Sequence, residues 1–267
     1  MKLIESIQNF DGASSTSGVT NVTITAVDMA RTWIICTNEN NSGDPEDYKV
    51  GYVLTSSTNV EIRTENAADN SFNYMLQVIQ FSVASGIQVY RNSGTFDGSI
   101  GSQTDAIGAT IDQSECHIDV NGHNNGTALG SDDFMRVWFP SNTQVEIDVN
   151  NGNCPYNWQV VDWNAHCKVI SYDVSRTTSQ TPMNFDITIA GADVDWNKRI
   201  CIGSAQSTKS NPNMDEVYGR VYPDSNTTIH HQRWDNNAQW TMTIFVIEFS
   251  SPSWTSNAYY HSMAASD

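Results

Sequence analysis

Gln77-Val78-Ile79-Gln80-Phe81, Gln159-Val160-Val161-Asp162-Trp163 and Phe245-Val246-Ile247-Glu248-Phe249 are three versions of one strand, apolar at its centre and closed by an aromatic. They recur at intervals of 82 and 86 residues. A second anchor lies upstream of each, over Leu54–Ile62, Phe139–Ile147 and Tyr222–His230: an apolar or aromatic residue, a Ser/Asn/Thr-rich turn, then a strand. Its positions Val60, Val145 and Ile229 are 85 and 84 residues apart, so two independent anchors share one period. A repeat of that length means one supersecondary unit used three times.

Each unit opens with alternating apolar residues, read at Val22-Thr23-Ile24, Ala109-Thr110-Ile111 and Ile187-Thr188-Ile189. In the first and third units a Trp and a Cys-bearing strand follow, Trp33 with Ile34-Ile35-Cys36 and Trp196 with Ile200-Cys201-Ile202. The second unit diverges there and carries Cys116-His117-Ile118-Asp119-Val120. Period-two stretches such as Val60-Glu61-Ile62-Arg63 predict half-buried strands, and no window sustains the helical i, i+3, i+4, i+7 spacing.

The chain is therefore read as all-β: three tandem β-sandwich-like repeats of about 84 residues, each of five or six strands, with a short C-terminal tail. The units are 1–82, 83–164 and 165–250, and the tail is 251–267. Val60, Val145, Ile229, Phe81, Trp163 and Phe249 are the expected repeat core. The joins are short, which favours rigid packing; both a pseudo-threefold cluster and a linear rod fit them. Trp254, Tyr259 and Tyr260 in the tail are candidates for contact with the third unit or with a partner.

Thirteen Lys and Arg against thirty Asp and Glu give a net charge of −17, which repels a phosphate backbone and argues against nucleic acid as a partner. No segment approaches the ~20 apolar residues of a membrane span, and Met1–Ile7 does not read as a secretory leader. Five cysteines without a C-x-x-C spacing are expected as buried free thiols, as suits a reducing cytoplasm.

Strong catalytic motifs are missing from the pattern, so no enzyme, no catalytic residue and no cofactor is expected. His230 and His231 are neighbours in a strand and point to opposite faces; His117, His123 and Cys116 are read as solvated or core side chains rather than a metal site. The acidic loops Asp44–Asp47, Asp132-Asp133 and Asp193 with Asp195 do not match one another across the units, which argues against a repeated calcium site. Shared positions are apolar, and no unit shows a surplus of chemical groups. That pattern points to binding or assembly.

A unit that runs from a Val-Thr-Ile strand through the Leu54–Thr58 turn to a closing strand such as Trp158–Trp163 resembles repeats in virion proteins of tailed bacteriophages, over about 250 residues. The resemblance implies a non-enzymatic viral structural protein: a capsid decoration, auxiliary or cement protein on the virion surface, assembled in the host cytoplasm. Its partners would be the viral capsid or other virion proteins, and further copies of itself. The alternative is a fibre or tail component with carbohydrate-binding, lectin-like adhesin activity toward a host-surface glycan, motivated by Trp234, Trp240, Trp254 and Tyr259.

Overall fold

Strands form here because β-branched and aromatic residues alternate with polar ones, and turns form where Ser, Thr, Asn and Gly interrupt that alternation. The computed structural model describes residues 2–13, 18–40, 50–63, 72–96, 101–123, 134–150, 154–176, 184–189, 198–207, 220–232 and 239–250. Trp234, Trp254, Tyr259, Tyr260, His261 and the three acidic loops lie outside these residues. Among the described residues no helix is long and apolar enough to cross a membrane.

Unit 1 contributes β1 (Ile4–Ala13), β2 (Val19–Thr23), β3 (Thr32–Asn40), β4 (Gly51–Ser56), β5 (Asn59–Arg63) and β6 (Phe72–Phe81). Unit 2 contributes β7 (Gln88–Thr95), β8 (Ser102–Ala106), β9 (Cys116–Gly122), β10 (Met135–Ser141), β11 (Gln144–Val149) and β12 (Pro155–Asp162). Unit 3 contributes β13 (Cys167–Arg176), β14 (Asn184–Thr188), β15 (Arg199–Ser207), β16 (Arg220–Ser225), β17 (Thr228–Gln232) and β18 (Trp240–Phe249). The protein is all-β, and one strand order occurs three times. In each unit the first strand pairs with the sixth and the sixth with the third; the second pairs with the fifth and the fifth with the fourth. Such nested antiparallel pairing is a jelly-roll way of building a sandwich from two small sheets.

The hairpin turns repeat down to single hydrogen bonds. Thr58, Thr143 and Thr227 each donate a backbone N–H to the hydroxyl two residues earlier, Ser56, Ser141 and Ser225, at 3.3, 3.4 and 3.2 Å. Their carbonyls in turn accept from the N–H groups of Ile24, Ile107 and Ile189 at 2.9, 2.9 and 2.8 Å. The Val22-type strand is thus the second of its unit, after β1, β7 or β13, and the register corrects its place in unit 2. It is β8, in which Asp105 pairs opposite Val145 as Val22 does opposite Val60, and Ala109–Ile111 lies beyond the strand. Asp105 breaks the apolar alternation because it serves as an acceptor, taking hydrogen bonds from the Trp158 indole (2.8 Å) and the Tyr156 hydroxyl (3.0 Å).

One face of each first sheet meets its own second sheet. Ile34, Leu76 and Val78 pack there against Val22, Leu54, Val60 and Ile62 in unit 1, and Ile244 and Val246 against Ile189 and Ile229 in unit 3. In units 2 and 3 the other face turns to the middle of the molecule, where the Phe81 end of unit 1 meets it, and Phe81, Trp163 and Phe249 are buried in one cluster with most of the core of unit 2. Trp163 meets Phe81 at 5.5 Å and Phe249 at 5.7 Å between ring centroids, both edge-on, the arrangement the ring quadrupole favours.

The units lie side by side, not end to end. The two joins touch: Asn164 Nδ2 donates to the Ser85 carbonyl at 3.2 Å, and His166 Nε2 lies 2.9 Å from the same oxygen. A rod of stacked units would hold successive joins a unit length apart.

Candidate functional site

The seams between units gather the polar groups that the strand pattern leaves unexplained. Sheet-edge strands are exposed N–H and C=O rows that a protein must cover or blunt. Here two of the edges, β4 and β10, are covered by side chains of the next unit. In the first seam, edge strand β4 of unit 1 packs on β9 and β12 of unit 2, and Tyr52 N–H donates to Asn121 Oδ1 at 2.8 Å. In the second, edge strand β10 of unit 2 packs on β15 and β18 of unit 3, and Val137 N–H donates to Ser204 Oγ at 3.0 Å. Tyr52 and Val137 hold the same register position, opposite Ile62 and Ile147, so the two seams are one interface used twice. The short 3-10 turns confirm the match: residues 29–31 lie on β7 and residues 113–115 on β13.

Both turns are closed by an acidic residue. Asp28 and Asp112 each accept the backbone N–H two residues on, at 3.0 Å, and so cap the turn. Arg31 beside Asp28 and the Ser114 hydroxyl beside Asp112 hold both carboxyls below the usual range.

The first seam is polar. Gln159 inserts its amide into the free edge of β3: Oε1 accepts from Ile34 N–H at 3.1 Å and Nε2 donates to the Ile34 carbonyl at 2.9 Å. The Arg91 guanidinium donates to the carbonyls of Met29 and Thr32. Asp119, partly buried, accepts from the Tyr52 hydroxyl at 3.1 Å; burial pushes its carboxyl up to about 6, against the opposing pull of Tyr52 and Trp33. His117 is enclosed in the aromatic cluster, where Trp163 Nε1 donates to its Nδ1 at 3.0 Å and burial pushes the imidazole down to about 3. The ring is thus the neutral tautomer with its proton on Nε2.

By register, His117, Asp119 and Gln159 occupy the positions of Trp33, Ile35 and Gln77 in unit 1 and of Ile200, Ile202 and Phe245 in unit 3. Unit 2 therefore carries the chemical surplus that the sequence comparison did not find. The second seam replaces it with an aromatic pair, Phe139 and Phe245 at 5.9 Å, and with Arg136, which donates to Thr243 Oγ1 and pairs with Asp173, both at 2.9 Å.

A cleft of about 390 Å³ opens along the first seam, lined by Met29, Tyr52, Arg63, Arg91, Asn92 and Trp158 among others. The Nε atoms of Arg63 and Arg91 are enclosed there without a hydrogen-bond partner. Trp158 is fully buried and offers no face for stacking. Among the side chains whose burial is described no large aromatic is in the exposed class, Phe72 and Phe185 being outside them; Trp240 lies in the core of unit 3.

The five thiols are buried or half-buried. Cys36, Cys116, Cys154, Cys167 and Cys201 are free, and burial pushes the Cys36 and Cys201 thiols up to about 12 and those of Cys116 and Cys167 higher still. Such thiols stay protonated and are poor nucleophiles. His230 is held by Asp186 at 2.7 Å on one face of β17 while His231 is buried on the other. Among the described residues no three His, Cys, Asp or Glu side chains converge as a metal site. In unit 3 a buried pair, Arg199 and Glu248 at 2.5 Å, pins the turn at Asn226, whose carbonyl accepts from the guanidinium at 2.7 Å. Of the expected core residues, Val60, Val145 and Ile229 lie inside their own sandwiches, and Phe81, Trp163 and Phe249 meet at the centre. Compared with models of known protein families and with curated proteins, the chain matches none.

Proposed function

We propose that the chain is a non-enzymatic structural protein of a virus particle, a capsid decoration, auxiliary or cement protein that seats on the virion surface after assembly in the host cytoplasm. The observation that carries this reading is the seam used twice: an edge strand of one unit buried under side chains of the next, with the same backbone donor each time. A chain whose polar inventory is spent on fitting sandwich to sandwich is built for contact, and its resemblance to repeats of tailed-bacteriophage virion proteins supplies the kind of particle. The excess of negative charge suits dense display, because neighbouring copies then do not attract DNA.

The test is cosedimentation with capsids that lack the protein. Saturable binding, at a fixed number of copies per particle, is the expected result. Protein that stays at the top of the gradient, and is missing from purified virions, contradicts the reading.

The cleft favours a second reading, a fibre or tail component that binds a host-surface glycan, since polar side chains such as Arg63, Asn92 and Ser93 line it beside Tyr52. Calorimetric titration with host polysaccharides gives binding on that reading and no heat on the first.

A further inference from the structure

Unit 1 exposes the face that units 2 and 3 bury. Ile7, Val89 and Val169 hold one register position, opposite Ile79, Val161 and Ile247. Val89 and Val169 are 4% and 5% exposed, covered by the preceding unit, whereas Ile7 is 52% exposed. Met75, Asn157 and Thr243 hold another, on the closing strand; Asn157 and Thr243 are 5% and 0% exposed, and Met75 is 51% exposed. Thr37, in register with Asn121 and Ser204, is exposed as well. At the other end of the chain β16 is an edge strand in the register of β4 and β10. Among the described residues, β16 does not pack on β1, β3 or β6 as β4 and β10 pack on the units that follow them.

We infer that unit 3 of one copy docks on unit 1 of a second copy, so that the seam made twice inside the chain is made a third time between chains. The ends are matched in detail. Val221 stands in the position of Val137, the N–H donor of the second seam, and Thr37 in the position of Ser204, its hydroxyl acceptor. Arg220 stands in the position of Arg136, and Asp11 in that of Asp173, the two residues that form the ion pair of the second seam. Unit 1 thus retains the hydroxyl and the carboxylate of a docking face that neither of the other two units covers. A head-to-tail contact of this kind is heterologous: it closes into a ring or continues as a filament, and neither end matches itself. The chain's own tail, residues 251–267, is the competing occupant.

Light scattering of the full chain at physiological salt tests this. The expected mass rises above the 29.6 kDa of one chain as concentration increases. Ile7→Glu with Met75→Glu blocks the unit 1 face, and Arg220→Glu blocks the unit 3 face; each is expected to weaken association by about a hundredfold while leaving the circular dichroism and melting temperature unchanged. Mixed together, the two blocked chains form a dimer that grows no further, because each retains the end that the other needs. Asp11→Lys added to Arg220→Glu restores growth. A chain that stays at one mass at every concentration overturns the inference. So does a chain that associates only after residues 251–267 are removed, or a mixture of blocked chains that remains monomeric.

Discussion

The two seams share a backbone and differ in chemistry. Both bury an edge strand and both use a backbone N–H donor at the same register, yet Gln159, Arg91 and Asp119 lock the first where Phe245, Thr243 and Arg136 pack the second. Polar groups fix register, because a slip leaves buried donors and acceptors unpaired; apolar groups supply most of the burial energy and tolerate small shifts. The first seam is therefore the more exacting of the two and the second the more forgiving.

The largest expected effect removes what both seams share. Trp163→Ala takes away the ring that touches Phe81, Phe249, Trp33 and His117 and leaves a cavity among all three units, costing about 3–5 kcal/mol. Denaturant unfolding measures it, and a transition that splits as well as shifts shows that the units were one cooperative body.

Gln159→Leu comes next. It keeps the volume but strands the N–H and C=O of Ile34, a loss of about 2–4 kcal/mol; Phe245→Leu in the second seam costs about 1 kcal/mol, since it strands nothing. Equal losses at the two sites would erase the distinction between the seams.

Asp119→Asn is expected to stabilise the protein by about 1–2 kcal/mol at pH 7, because the seam holds a carboxylate whose pKa is raised from 3.8 to about 6. The native state binds that proton more tightly than the unfolded chain, so Asp119 lowers stability as pH rises from about 4 to about 6. His117 acts in the opposite sense: depressed from 6.5 to about 3, its imidazole takes up a proton on unfolding and costs stability as pH falls below 6.5. Removing Asp119 leaves the His117 loss unopposed, and the acid limb of the stability curve steepens between pH 6 and pH 4. Melting temperatures across that window check the slope.

Arg136→Met is the smallest, about 0.5–1 kcal/mol, because Asp173 is 60% exposed and solvent screens the pair. Raising the salt concentration is expected to remove most of that difference.

The fold was legible wherever the repeat is carried by burial. Val60, Val145 and Ile229 must be apolar to sit between two sheets, so they announce both the strand and the period. It was illegible where a polar residue stands in a buried place. Asp105 hid the second strand of unit 2, because an acceptor for Trp158 and Tyr156 reads in sequence as a loop residue. His117 and Asp119 made strand β9 of unit 2 look merely divergent, and Gln159 read as an ordinary repeat position, when all three face another unit rather than solvent. The signal that would have found them is the alternation itself: each stands in register with apolar or amide partners in units 1 and 3. Which unit covers which is a matter of shape. No single segment encodes it, and the exposed Ile7 gains meaning only beside the buried Val89 and Val169.

The account rests on one interface that the chain uses twice and that its two ends are matched to use again. An electron-microscope reconstruction of the assembled protein tests this most directly. The account predicts that successive copies are related by the same rotation and shift that carry unit 1 to unit 2 and unit 2 to unit 3, with Ile7 and Met75 buried under β16 of the neighbour. Copies related by a twofold axis, or contacts that leave Ile7 and Met75 in solvent, would contradict it.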